Sequence, residues 1–245
     1  MTRVLEVKDF NFSYPDGRSA LKGLSFDISS GETVAVIGPN GAGKTTLLLA
    51  LNGILRGKGS IKVEDLEVSG SNLKEIRKRV GVVFQDPDDQ LFCPTVNEDV
   101  MFGLLNLGLS DEDVQRKTIE TLKILELEEF GELLSHHLSA GEKKRVALAT
   151  VLAMEPDIIA LDEPTANLDP RSRRHLIETL KNIKHAKIIA THDLEMALEL
   201  ADRVIVLNKG KIAAFGRVKD ILENAKLMEE NALEVPLSLK YPEKN

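Results

Sequence analysis

The residues Gly38-Pro39-Asn40-Gly41-Ala42-Gly43-Lys44-Thr45 constrain this chain more than any other stretch. They fit the pattern G-x-x-x-x-G-K-[ST], and their surroundings give the pattern its weight. The apolar, β-branched run TVAVI precedes them and the helical pattern TTLLLALNGIL follows, ending near Gly57-Lys58-Gly59, where glycines permit a turn. A short run such as TVAVI suits a strand buried on both faces. Glycines let successive N–H groups converge on one point, and the first turn of the helix adds unpaired N–H groups and the positive end of its dipole. A phosphate chain is the natural occupant. Lys44 would place its charge at the β- and γ-phosphates, the Thr45 hydroxyl would ligate Mg2+, and Thr46 would hydrogen-bond on the α-phosphate side.

The rest of the chain reads as α/β. Residues 157–161 (DIIAL) and 187–191 (KIIAT) are further buried-strand runs, each followed by polar residues and a helical pattern. Residues 3–14 and 21–29 alternate as two strands joined by a turn at Pro15-Asp16-Gly17. RVIVL and KIAAF read as a hairpin through Asn208-Lys209-Gly210. Between about residues 87 and 155 the pattern is mostly helical, and after Val218 the sequence ILENAKLMEENALEV reads as one charged helix stopped by Pro236. The expected fold class is α/β, a P-loop NTPase (RecA-like) core with an N-terminal antiparallel β subdomain and an inserted α-helical subdomain.

Composition narrows the function. With 42% hydrophobic and 29% charged residues the chain has ordinary soluble composition, which excludes a disordered or collagen-like protein. No run approaches the roughly 18 to 20 apolar residues of a membrane-spanning helix, and the opening MTRVLEVKDF lacks the apolar core of a secretory signal, so a cytosolic chain is expected. A net charge of -7 opposes attraction to nucleic acid or anionic lipid. The basic run at 74–79 (KEIRKR) reads as a solvated helix face. Cys93 is the sole cysteine, which rules out an internal disulfide; it reads as a small, partly buried side chain.

A triphosphate cradle is shared by kinases, GTPases and motors, and a second motif separates them. Leu138-Ser139-Ala140-Gly141-Glu142, followed by KKRVALATVLA, resembles the LSGGQ signature of ABC-type ATPases. Gln85, Asp162-Glu163, Asn167-Leu168-Asp169 and His192 follow that family's order, so the resemblance covers residues 1 to about 220. It implies an ATPase domain over 1–220, with a core at 1–86 and 156–220 and a helical subdomain at 87–155, then a short helical tail at 221–245. It also implies that Ser139 and Gly141 meet the γ-phosphate held by a second subunit, so that two head-to-tail copies enclose two ATP molecules. Asp162 would orient Mg2+ and its waters, and Glu163 would polarise the attacking water. His192 would contact the γ-phosphate and hold that carboxylate. Gln85 would reach Mg2+ and the water, Asp169 would cross the dimer interface, and Tyr14 would stack on adenine.

From the residues themselves, Ser139 is a good helix N-cap and Gly141 permits close backbone approach. Ala140 and Glu142 depart from the family's glycine and glutamine. The extra charge of Glu142 should weaken ATP binding unless it faces Lys143, Lys144 or solvent. His136, His137, His175 and His185 match no motif and read as surface residues.

Gln85-Asp86-Pro87-Asp88-Asp89-Gln90-Leu91-Phe92 and the segment TVNEDVMFG at 95–103 resemble the energy-coupling-factor branch of the family, which serves cobalt, nickel and vitamin uptake. Leu233-Glu234-Val235-Pro236 is similar to that branch's C-terminal region. The resemblance implies the motor subunit of an importer, bound peripherally at the cytoplasmic face of the membrane. Its partners would be a second ATPase subunit, identical or paralogous, a transmembrane coupling subunit and a substrate-specificity subunit. Asp86, Asp88 and Asp89 would pair with arginines of the coupling subunit. The alternative is a soluble ABC-type ATPase serving nucleic acid or assembly; the acidic charge, and the lack of an inserted coiled coil or a second fused domain, speak against it.

Overall fold

The computed structural model describes residues 2–241. β1 (Arg3–Ser13) and β2 (Ser19–Ser29) form an antiparallel pair around the expected turn, closed by Gly17 N–H donating to the Tyr14 carbonyl at 2.9 Å. β3 (Thr33–Ile37), buried throughout, runs into the glycine loop and α1 (Lys44–Leu51). This helix stops before the expected turn at 57–59. The Asn52 side chain leaves it to donate to the Val80 carbonyl at 2.5 Å, and the chain turns there. Lys58 instead opens β4 (Lys58–Val63), which pairs with β1 and with the short β5 (Leu66–Glu67). α2 (Leu73–Arg79) buries Ile76 alone, so the run KEIRKR is largely a solvated face.

After β6 (Val80–Val83) come α3 (Val96–Leu107), α4 (Asp111–Ile124) and α5 (Ala140–Leu152). β7 (Ile158–Asp162), α6 (Pro170–Asn182), β8 (Ala186–Ala190), α7 (Leu194–Leu200), β9 (Arg203–Asn208) and β10 (Lys211–Arg217) complete the larger sheet and its cover. The strand order is β10-β9-β3-β8-β7-β6, parallel except for the β10 edge. Because strand side chains alternate, one sequence run feeds two cores. Ile158 and Ala160 of β7 join Val34, Val36, Leu47 and Ile188 on the face shared with α1 and the β1–β2 sheet. Ile159 and Leu161 join Val146, Leu148, Ile177 and Ile189 on the face covered by α5 and α6. Parallel pairing in register sets the carboxyl ends of β3, β7 and β8 side by side, and ligands of open α/β sheets gather at such an edge.

The tail is not one helix. It breaks into α8 (Val218–Leu222), α9 (Ala225–Glu230) and α10 (Leu237–Lys240). Asn224 caps α9 with its side chain, and Asn231 at its far end accepts from Asn208 at 3.0 Å, so the asparagines divide a pattern that charge and periodicity ran together. Val218, Leu222 and Met228 pack on Ala35, Ile37, Val204 and Val206. The last four residues of the expected tail lie outside the described residues. Among those described, no helix is long and apolar enough to cross a membrane.

Two histidines depart from the expected surface placement. His136 and His137 are exposed, but His175 is half-buried with Nε2 3.1 Å from Arg145, and His185 is half-buried with an unpartnered Nδ1. Burial lowers the His185 pKa. Among the described residues no His, Cys, Asp and Glu cluster is suited to a metal. Cys93 is partly buried, and burial with the Asp99 carboxylate pushes its thiol up to about 11.

The segment between β6 and α3 is pinned by Asp99, which is itself buried. Its carboxylate accepts from the Phe92 and Cys93 N–H groups at 3.0 and 2.9 Å and from the Ser135 hydroxyl at 2.8 Å. Asp99→Ala strands those donors and should cost about 3 kcal/mol in urea unfolding; a loss under ~1 kcal/mol would contradict this anchoring role.

Candidate functional site

The loop after β3 is as tight as the sequence requires. Gly38 has φ +154, and a Cβ there would lie 2.0 Å from the Leu207 carbonyl oxygen. The buried Lys44 donates from Nζ to the carbonyls of Gly38 at 2.8 Å and Pro39 at 3.4 Å. Asn40, Gly41, Ala42, Gly43, Lys44, Thr45 and Thr46 line a cavity of about 470 Å3, with Tyr14, Gln85, Asp162 and Glu163 on its other walls. Tyr14 is fixed by its hydroxyl, 2.9 Å from Thr46 Oγ1, and the Arg18 guanidinium lies 4.9 Å from the centre of its ring. A cavity lined by a flat aromatic, a guanidinium and a glycine loop that opens a helix suits a nucleotide.

The two acids at the end of β7 part company. Asp162 continues the strand and faces Thr45; its Oδ1 is buried with no hydrogen-bond partner. Burial raises the Asp162 pKa, against the opposing pull of the Thr45 hydroxyl. An unpartnered carboxylate oxygen beside a threonine hydroxyl is a hard-oxygen donor set, and it fits Mg2+. Glu163 has φ +43, an uncommon conformation for a residue with a side chain. That turn carries it to the end of β8, where its N–H donates to Ala190 O at 2.8 Å. Glu163 Oε2 accepts from the Thr191 hydroxyl and the His192 N–H, both at 3.2 Å, and His192 Nδ1 lies 2.8 Å away. The imidazole is otherwise open, its side chain 67% exposed.

Gln85 stands exposed at the cavity rim, in a loop held to α5. Gln90 accepts from Phe84 N–H at 3.1 Å and donates to Ala147 O at 2.8 Å and Thr150 Oγ1 at 2.7 Å. Two of the three loop acids are already engaged. Asp86 caps the turn at Asp88, and Asp88 pairs with Lys143 at 2.6 Å.

Ser139, Gly141 and Asp169 lie elsewhere, around a separate cavity of about 740 Å3. Ser139 caps α5 as expected, and Glu142 completes a capping box. Its carboxylate accepts from the Ser139 N–H and hydroxyl, each at 2.7 Å. Glu142 therefore faces neither Lys143 nor Lys144. Gly141 leaves room for α6, since a Cβ would meet Ser172 Oγ at 2.7 Å. Asp169 caps α6 by accepting from the N–H groups of Arg171 and Ser172. The structure thus gathers Tyr14, the glycine loop, Gln85, Asp162, Glu163 and His192 in one place, and Ser139, Gly141 and Asp169 in another. Arg18, Thr191 and Lys144 escaped the sequence reading; Arg18 and Thr191 had a signal in their closeness to Tyr14 and His192, whereas Lys144 had none.

Comparison with known proteins bears on this geometry. A family model described as ABC transporter matches residues 21–166. The energy-coupling factor transporter ATP-binding protein EcfA of Carboxydothermus hydrogenoformans is 47% identical over 98% of this chain and 90% of its own length. This chain belongs to the ABC transporter ATP-binding subunits. The solved structure of cbiO1 from Clostridium perfringens, described as part of the ABC transporter complex cbiONQ, matches with a TM-score of 0.84 at 36% identity, covering 99% of this chain and 97% of that one. The cassette MJ0796, solved as a dimer in a post-hydrolysis state with ADP and Pi, matches with a TM-score of 0.78 at 28% identity, covering 87% of this chain and 98% of that one. This ABC subunit is an ATPase with a P-loop core, an antiparallel β subdomain and a helical subdomain.

The raised Asp162 pKa has a thermodynamic consequence. The fold disfavours the ionised form, so the carboxylate costs stability above its folded pKa and nothing below the unfolded value of about 3.9. Asp162→Asn should therefore raise the Tm of the nucleotide-free protein at pH 7.5, by about 2–4 °C per kcal/mol relieved. The gap should close as pH falls toward 4, and an unchanged or lower Tm at pH 7.5 would contradict it.

Proposed function

We propose that this ABC subunit works as half of a head-to-tail ATPase pair in an energy-coupling-factor importer, at the cytoplasmic face of the membrane. The observation that carries the reading is the separation of two half-sites on one chain. The cavity at Lys44 holds cradle and carboxylates but lacks Ser139 and Gly141, which open onto a different cavity. Neither half encloses a triphosphate, and a second copy supplies what each lacks. The MJ0796 cassette was solved as a dimer, which supports the pairing.

In each site the loop N–H groups of 38–46 and Lys44 take the phosphates, Tyr14 stacks on adenine, and Thr46 stands on the α-phosphate side. Mg2+ held by Thr45 and Asp162, with Gln85 reaching toward it, would neutralise charge on the β- and γ-phosphates. Glu163 orients a water for attack on the γ-phosphorus and takes its hydrogen bond at Oε1, the oxygen that Thr191 and His192 leave free. The bond from that phosphorus to the β,γ-bridging oxygen breaks, giving ADP and phosphate. His192 holds Glu163 from one side and meets the γ-phosphate from the other. Asp169 sits at the dimer interface.

Ser139 and Gly141 present the N-terminus of α5 to the partner's γ-phosphate. Glu142 already occupies the Ser139 donors, and two anions compete for them, so closure releases the Glu142 carboxylate.

The names of the relatives support the importer reading, EcfA through its transporter and cbiO1 through the cbiONQ complex. So do two exposed aromatics. Phe92 and Phe102 stand 65% and 46% exposed, their rings edge to face, and Phe92 follows the acidic segment 86–89 closely in the sequence. An exposed aromatic pair and a nearby run of acids in the sequence suit a transmembrane coupling subunit that brings both apolar and basic side chains.

Glu163→Gln should keep ATP affinity within a few-fold while slowing turnover roughly 10²- to 10⁴-fold, and should accumulate as an ATP-bound dimer in sedimentation. Near-normal turnover would overturn the role of Glu163, and a variant that stays monomeric with saturating ATP would overturn the pair. The importer assignment has its own check. Affinity purification from detergent-solubilised membranes should recover hydrophobic subunits in stoichiometric amount, and recovery of this ABC subunit alone would refute it.

A further inference from the structure

Lys144 lies on α5, three residues after Gly141, and is 4% exposed. A lysine that deep normally ends on a carboxylate. Here Nζ instead donates to two main-chain carbonyls, those of Gln85 at 2.5 Å and Glu163 at 3.1 Å. The carboxylates of Asp86, Asp162 and Glu163 are near enough to supply compensating charge without taking the hydrogen bonds. Burying an ammonium is expensive, and an apolar side chain of similar length would fill the same space at lower cost. The ammonium is therefore accounted for by what it touches rather than by packing.

It touches the backbone of both residues assigned above to the attacking water, and it does so from the helix that begins at Ser139. The other ties between α5 and the 85–90 segment, Lys143 to Asp88 and Gln90 to Ala147 and Thr150, stop at that segment. Among the described residues no other side chain hydrogen-bonds to both loops. We infer that Lys144 is a positioning residue for ATP hydrolysis: its ammonium holds the Gln85 and Glu163 loops in a fixed relation to each other and to the signature helix of the same chain. Lys144 does not line the cavity at Lys44, so it acts on the rate of the reaction and not on the affinity for ATP. The inference rests on the assignment of Gln85 and Glu163 to the water. It adds that their alignment depends on a cation from α5, and that either loop moves together with the helix that clasps the partner's ATP.

The test is steady-state ATPase kinetics on the full chain, at a concentration where the pair forms. Lys144→Met keeps the length of the stem and removes the donors. It should leave KM for ATP within about twofold and lower kcat about tenfold or more. Lys144→Gln returns N–H donors without charge and should recover only part of that loss, about threefold, with kcat staying about threefold or more below wild type. In a Gln85→Ala background the Lys144→Met effect should shrink to about twofold, because one of the two side chains whose alignment it sets is gone and only the tie to Glu163 remains. Wild-type kcat in Lys144→Met overturns the inference, as do a KM that rises in step with any loss of kcat and a Lys144→Met effect that is undiminished by Gln85→Ala. Should Lys144→Met not fold, Lys144→Gln decides alone: a lowered kcat at unchanged KM supports the role, and unchanged kcat overturns it. Glu163→Gln measured in parallel separates the two levels. If it too turns over normally, the reading of the site fails; if it is inactive while the Lys144 variants are normal, only the positioning role fails.

Discussion

Adjacent carboxylates at the end of a buried strand repel each other and lose hydration together, and the structure around β7 is organised to keep them apart. Asp162 follows the strand toward the cradle and keeps a buried oxygen unpartnered. Glu163 adopts a left-handed backbone and swings to β8, where Thr191 and His192 satisfy one of its oxygens. One strand end therefore offers one carboxylate suited to a hard cation and another already aimed and held. Both positions depend on parallel register: Asp162 pairs with Ala190, so the next residues of β8 arrive beside the next residue of β7.

The same economy appears in α5. Its N-terminus carries the signature residues, its first turn reaches Asp88 through Lys143, and Lys144 reaches both loops of the cavity on the other side. One rigid rod thus touches both half-sites of a chain. Capping is part of the device. Glu142 satisfies the helix start internally, so the N-terminus is stable without an external anion.

Much of this was legible in the sequence, and the limits are physical. Runs such as TVAVI, DIIAL and KIIAT are unambiguous because both faces of a parallel strand are buried, and the glycine loop has meaning only after such a strand. The loop residues accordingly lie between β3 and α1, and Asp162 and Glu163 stand at the end of β7. β4 was not legible, since Gly57 and Gly59 read as a turn while tertiary pairing with β1 draws the segment into a sheet. The tail failed for a related reason: Asn224 and Asn231 fit within a helical pattern, and only their caps reveal the breaks. By its charge Glu142 reads as a partner for the neighbouring lysines or solvent, but local hydrogen bonding to Ser139 decides its place. Lys144 stood in a run of basic residues, and no pattern separates a buried lysine from solvated ones.

Mixing two disabled chains tests most directly whether each ATP is held by the cradle of one copy and the signature of another. A Lys44→Ala copy keeps an intact Ser139, and a Ser139→Arg copy keeps an intact Lys44. Alone, each should form only defective sites. Mixed, they should form hybrid pairs with one complete site and regain ATPase activity, approaching about half the wild-type rate per hybrid pair if the sites turn over independently. A mixture no more active than the sum of its components, with hybrid pairs demonstrably present, would contradict the account.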